Sequence, residues 1–198
     1  MSIPCPSCGR EYDVTLFQFG RTIACTCGTR VGLEAKSPAP RRARDEPRFF
    51  ADAMLGRLAR WLRTIGYDTE YASDIDDGDL VRRALEEERT VLTRDRGLPT
   101  EWSIRDYLIV DSDAPLEQLT QVVHHFRLAW RGRLFRRCVL CNVELEEMPA
   151  ADAHALVPLR VSQAQRMFAR CPSCERIYWE GSHTQRMRRW LARALGDG

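Results

Sequence analysis

Residues 48–71 read RFFADAMLGRLARWLRTIGYDTEY, and this stretch decides the fold. Arg48–Asp52 carries three apolar residues, Phe49, Phe50 and Ala51, and ends in an acid, the pattern of a short buried strand with a carboxylate at its carboxyl end. Leu55, Leu58, Leu62 and Ile65 then recur at helical spacing, with Arg57, Arg60 and Arg63 assigned to the opposite face. Gly66 stops the helix, and Asp68–Tyr71 begins a second strand. Strand, helix and strand within about two dozen residues describe a crossover between parallel strands.

The same alternation continues downstream. The aspartate-rich run Asp74–Asp79 opens a helix carrying Leu80, Val81, Ala84 and Leu85. Thr90–Thr93 is a third strand and Tyr107–Val110 a fourth. Asp113 is the expected cap of a helix bearing Leu116, Leu119, Val122, Val123 and Phe126. The expected fold class is α/β, a three-layer α/β/α domain with a mostly parallel sheet, spanning residues 48–131.

Upstream, residues 1–34 hold two cysteine pairs, with Tyr12, Val14, Leu16 and Phe17 between them reading as short strands. Residues 35–47 are rich in proline and arginine and read as a linker. Residues 132–198 contain two more cysteine pairs and a terminal amphipathic helix. That helix sets Met187, Trp190, Leu191 and Leu195 against Arg186, Arg188, Arg189 and Arg193.

All eight cysteines fall in close pairs: Cys5/Cys8, Cys25/Cys27, Cys138/Cys141 and Cys171/Cys174. The chain begins without a basic and apolar leader, and no apolar run reaches membrane-spanning length, so a cytoplasmic, reducing setting is expected. There such pairs read as zinc ligands rather than disulfides. Two pairs complete a tetrahedral four-thiolate set that leaves no position open for substrate, so two structural zinc sites are expected. Glu175 stands where glycine usually follows the second cysteine of such a turn.

Charge is unevenly distributed. Residues 1–48 carry 8 basic and 5 acidic groups, residues 49–126 carry 9 and 16, and residues 127–198 carry 13 and 7. Basic flanks around an acidic centre suit a carboxylate-rich site that acts on a phosphate-bearing chain, and solvated surface charge is the plainer alternative. Within the centre, Asp52 follows the first strand, Asp95 the third, and Asp79 opens the second helix with Asp76 and Asp77 just before it. In a parallel sheet, carboxyl ends of strands share one edge. Acids gathered there are what Mg²⁺ or Mn²⁺ needs for phosphodiester hydrolysis. Each acid also has a structural reading: a cap for Asp52, a helix-dipole partner for Asp79, a surface ion pair for Asp95 between Arg94 and Arg96. The histidines and Trp61, Trp102 and Trp130 read as surface or packing residues. P-loop, dinucleotide-binding and serine-elbow motifs are missing from the sequence.

The run Phe49–Thr69, Asp76-Asp77 with Asp79-Leu80, and Val91-Leu-Thr-Arg-Asp-Arg96 resemble the Mut-seven C-terminal RNase domain family, a PIN-like family. Arg137-Cys-Val-Leu-Cys-Asn142 and Cys171–His183 resemble its C-terminal zinc ribbon. The resemblance covers roughly residues 48–190. It implies a PIN-like domain with a fused ribbon and divalent-metal-dependent ribonuclease activity. Matched motif by motif, Asp52 is the strand-one acid, Asp79 the helix acid and Asp95 the acid of the Thr-Arg-Asp turn, with Asp76 and Asp77 as further candidates. RNA contacts are expected from Arg57, Arg94, Arg96, Tyr178, Trp179, His183 and Arg186. The N-terminal cysteine module lies outside the family's core. The competing reading is an RNA-binding adaptor for ribosomes or tRNA, with an acidic centre that no longer cuts.

Overall fold

The computed structural model describes residues 2–17, 21–32 and 46–196. The expected linker falls almost wholly outside these residues. The chain forms two compact units, Met1–Gly56 with Glu70–Asp111, and Arg57–Thr69 with Ser112–Gly198.

The first unit begins with two small hairpins. β1 (Ser2–Pro4) pairs antiparallel with β2 (Glu11–Asp13), and β3 (Thr22–Ala24) pairs with β4 (Arg30–Gly32). Cys5, Phe17, Cys25 and Val31 are buried between them, with Ile3, Tyr12 and Ile23 packed around. The expected strand through Val14–Leu16 is instead a 3-10 turn, because the Asp13 side chain accepts from the Thr15 amide and bends the backbone away from β geometry. Thr22 Oγ1 donates to the carbonyl of Glu101 at 3.1 Å, and the Arg21 guanidinium lies 5.9 Å from the Trp102 ring centre. The hairpins are thereby fastened to the α/β core of the same unit.

That core is a four-stranded sheet in the order β6-β5-β7-β8, made of β5 (Phe49–Ala51), β6 (Thr69–Tyr71), β7 (Thr90–Thr93) and β8 (Tyr107–Ile109). β5 runs parallel to β7 with Ala51 opposite Leu92, and β7 runs parallel to β8 with Leu92 opposite Leu108. Every residue of β5 and β7 is buried, as expected for strands covered on both faces. From β5 the chain passes to β6 on one side and then crosses to β7 on the other, so the strand order reverses between β5 and β7. Carboxyl ends on either side of such a reversal border a natural crevice. Asp52 and Asp95 follow those two ends. Phe50 and Val91 pack under α2 (Asp77–Glu86), whose Leu80, Val81 and Ala84 are buried, and α3 (Leu98–Glu101) adds Leu98. Trp102, just past α3, is buried in the same cluster. The short α3 is not visible in the apolar periodicity.

The second unit contains α1 (Gly56–Thr64, whose first residue belongs to the first unit), α4 (Pro115–Phe126), β9 (Glu146–Met148), α5 (Ala150–His154), α6 (Leu159–Ala164), β10 (Phe168–Arg170), β11 (Ile177–Trp179) and α7 (Ser182–Leu195). β9, β10 and β11 form an antiparallel sheet with β10 central. Gly66 ends α1 at φ +89°, and a Cβ there would sit 2.5 Å from the Arg133 carbonyl oxygen. Two expectations change here. Arg63 is buried rather than solvent-facing, and donates to the carbonyls of Thr69, Val139 and Leu140, tying α1 to the Cys138 turn. Asp113 does not cap α4: the helix starts at Pro115, Ala114 is the cap residue, and Ser112 Oγ accepts from the Ala114 amide.

Candidate functional site

The acidic cluster lies wholly in the first unit. Asp52, 7% exposed, follows β5. Its Oδ1 accepts from the Ala53 amide at 2.5 Å and its Oδ2 from Thr93 Oγ1 at 2.6 Å. Thr93 Oγ1 in turn accepts from the Asp95 amide at 3.0 Å, and Asp95 Oδ1 accepts from the Gly97 amide at 2.7 Å. One buried hydroxyl therefore links the ends of β5 and β7.

The aspartate-rich stretch contributes residue by residue. Asp76 caps α2 by accepting from the Asp79 amide at 2.9 Å. Asp77 is the first residue of α2. Partial burial, and then the charges of Asp52, Asp95, Glu101 and Asp76, hold its carboxyl above the ordinary aspartate range. Asp79 pairs with Arg82 at 2.8 Å on the surface. Residues two apart in a helix do not face each other, so Asp77 and Asp79 leave the first turn of α2 in different directions. Asp52, Asp77 and Asp95 are thus brought into one electrostatic neighbourhood with Glu101, which sequence reasoning missed because its helix has too few residues to show a period. Thr93 was also missed, although it lies inside the Val91–Arg96 motif.

Each set of four cysteines gathers its sulfurs within 4.8 Å of one another. Cys5 and Cys27 sulfurs are 3.6 Å apart, Cys8 and Cys25 3.5 Å, Cys138 and Cys174 3.7 Å. These separations are far beyond a disulfide bond and close to the roughly 3.8 Å edge of a tetrahedron with Zn–S distances of about 2.3 Å. Both sets are therefore spaced to hold zinc. Gly9 and Gly28, at φ +71° and +85°, close the two N-terminal knuckles. Asn142 and Glu175 adopt the same left-handed conformation in the second set at φ +64° and +60°, so Glu175 performs the turn expected of glycine.

Donors to sulfur come from backbone and from tyrosine. The Cys27 amide and the Tyr12 hydroxyl bring the Cys25 thiol down to about 5. For Cys138, burial acts upward, yet the Tyr178 hydroxyl with the Cys141 and Leu140 amides brings it down to about 6. Tyr178 Oη lies 3.1 Å from Cys138 Sγ, so this expected RNA contact is occupied with the cysteine site.

The remaining expected RNA contacts are dispersed. Arg57 is exposed on α1, and His183 and Arg186 are exposed in the first half of α7. Trp179 is half-buried in β11 and Arg94 half-buried beside the acidic turn. Arg96 is exposed and pairs with Asp111 at 2.8 Å. Among the described residues, no helix is long and apolar enough to cross a membrane.

A parallel α/β sheet with carboxylates clustered where its strand order reverses, joined to two four-cysteine modules, defines a class of acidic-site α/β proteins with zinc-ribbon-like appendages. Within that class the chain belongs to the Mut7-C RNAse domain family, which it matches over residues 47–191. Membership points to a nuclease or RNA-related function with RNA as the substrate class. No curated protein and no solved structure gave a significant match.

Proposed function

We propose that the protein is a divalent-metal-dependent ribonuclease whose metal is held by Asp52, Asp77, Asp95 and Glu101. The observation that carries this reading is the buried Thr93 hydroxyl that bridges Asp52 to the Asp95 turn, with Asp77 and Glu101 near enough for their charges to be felt there. An all-oxygen, strongly anionic donor set fits Mg²⁺ or Mn²⁺, and the raised Asp77 carboxyl is what partial burial, and then neighbouring like charge, produces. When bound, such an ion supplies an acidified water and positive charge for the phosphodiester in its transition state.

The protein's own part is positioning. Thr93 and the Ala53 amide fix both oxygens of Asp52, each of which keeps a further lone pair. The Gly97 amide orients Asp95. Water attacks phosphorus, the bond to one ester oxygen breaks, and that oxygen leaves with a proton from solvent, without a covalent enzyme intermediate. In this reading residues 48–131 carry the chemistry, and the zinc-ordered modules assist RNA binding in the cytoplasm, where their thiols stay reduced.

The test is cleavage of labelled RNAs with Mg²⁺, Mn²⁺ or no added divalent ion. Asp52→Asn and Asp77→Asn are each expected to lose about a hundredfold or more in kcat, or ~2.7 kcal/mol of barrier. Turnover that survives both substitutions would sink the assignment. RNA bound tightly but left uncut under both metals would favour the adaptor.

A further inference from the structure

The sequence contains one short pattern twice, 129 positions apart: Arg57-Leu-Ala-Arg60-Trp61-Leu62 and Arg186-Met-Arg-Arg189-Trp190-Leu191. The first copy lies on α1 and the second on α7, and residues 57–62 and 186–191 all belong to the second unit. In each copy the leucine after tryptophan is fully buried, and the first arginine precedes the tryptophan by four residues, one turn along the same face. The two indole rings meet with centres 5.2 Å apart and planes inclined at 34°.

Beside this pair opens a pocket of about 370 Å³ lined by Arg57, Arg60, Trp61, Pro115, Leu116 and Trp190. Trp190 remains 38% exposed, which is unusual for a tryptophan that serves only as packing. Among the described residues, none of Arg57, Arg60, Arg186 and Arg189 has an ion-pair or hydrogen-bond partner for its side chain. Arg57 and Arg60 line the pocket beside the open aromatic face, Arg186 lies one turn before Trp190 on α7, and α4 begins at the same pocket with no side-chain cap on its first turn. Apolar floor and cationic rim together match one chemistry: a flat π-face carried on an anionic backbone.

We propose that the Trp61–Trp190 pair is a single-stranded RNA subsite, one unpaired base stacking at Trp190 while Arg57, Arg60 and Arg186 hold the adjoining phosphates. The proposal rests on the RNA-related reading of the protein, but not on cleavage. Stacking of this kind tolerates any base, and the phosphate contacts add salt-sensitive affinity.

The experiment is titration of the full chain, carrying Asp52→Asn so that RNA survives, with a fluorescein-labelled single-stranded RNA octamer. Indole quenching is expected, and Trp190→Ala should weaken binding roughly tenfold. Trp190→Phe should retain most of the affinity, which separates stacking from a folding defect. Arg57→Gln with Arg60→Gln should weaken binding and lower the slope of log affinity against log salt by about 1.4, the share of two single-strand phosphate contacts. Unchanged affinity in Trp190→Ala and in the arginine variant would overturn the proposal. So would equal binding of a blunt RNA duplex, whose bases are not free to stack, or self-association of the chain that shields Trp190 from quenching. A wild-type protein that cuts RNA while Trp190→Ala binds normally would refute the subsite and leave the nuclease. Binding that depends on Trp190 without any cutting would do the reverse.

Discussion

Thr93 spends a single hydroxyl on two strand ends, donating to Asp52 and accepting from the Asp95 amide. Thr93→Val keeps the shape and removes both interactions, leaving a buried carboxylate oxygen and an amide short of a partner. A loss of about 1–3 kcal/mol in chemical denaturation is expected, with Thr93→Ser recovering most of it. Asp79 supplies the contrast to Asp77. Its exposed pair with Arg82 is worth little, so Asp79→Asn should change stability by under about 1 kcal/mol and leave kcat within about threefold. A collapse of activity in Asp79→Asn would place the helix acid two positions later than proposed. For Asp77, a carboxyl raised in the fold binds its proton more tightly there than in the unfolded chain. The metal-free protein therefore loses stability as pH rises through the carboxylate range. Asp77→Asn should raise the metal-free melting temperature at neutral pH by about 1–3 °C, a small gain because water screens the site. The difference should vanish below the ordinary value of 3.8, and added Mn²⁺ should stabilise wild type but not the variant.

At the scale of elements, the first turn of α2 shows why composition alone is ambiguous. Four aspartates occur within six residues, and helix geometry sends the last three to different duties: cap, cluster and surface. The cysteine turns depend on a further group outside the ligand set. Tyr178→Phe removes the hydroxyl beside Cys138, and groups that support a ligand in this way typically contribute 10–100-fold to metal affinity. Competition with a chromogenic chelator should show zinc released more readily from one of the two sites, with the other unaffected. Gly66 holds the exit of α1 in a conformation that other residues adopt only with strain, against the Arg133 carbonyl. Gly66→Ala should cost more than about 1 kcal/mol in thermal unfolding.

At the scale of the whole molecule, two basic segments flank an acidic one along the sequence, and each basic segment contains one of the two cysteine modules. Metal analysis of purified protein should find two zinc ions per chain, falling to one in Cys171→Ser together with loss of cooperative melting in that module. A full complement of zinc in that variant would argue against the second site. The sequence by itself was enough for whatever is written in local periodicity: alternating strands and helices, the carboxylates that end β5 and β7, and cysteines in pairs. Parallel strands expose their carboxyl ends together, so the sequence alone puts Asp52 and Asp95 on one edge. Only the tertiary structure decided that Thr93 bridges them, that the charges of Asp77 and Glu101 act on one another, and that Arg63 is buried. Those facts depend on register between strands forty residues apart and on the rotation of each helix about its axis. Trp61 and Trp190 make the same point across 129 residues: neighbours in sequence obey local geometry, whereas partners in space are set by how the helices pack.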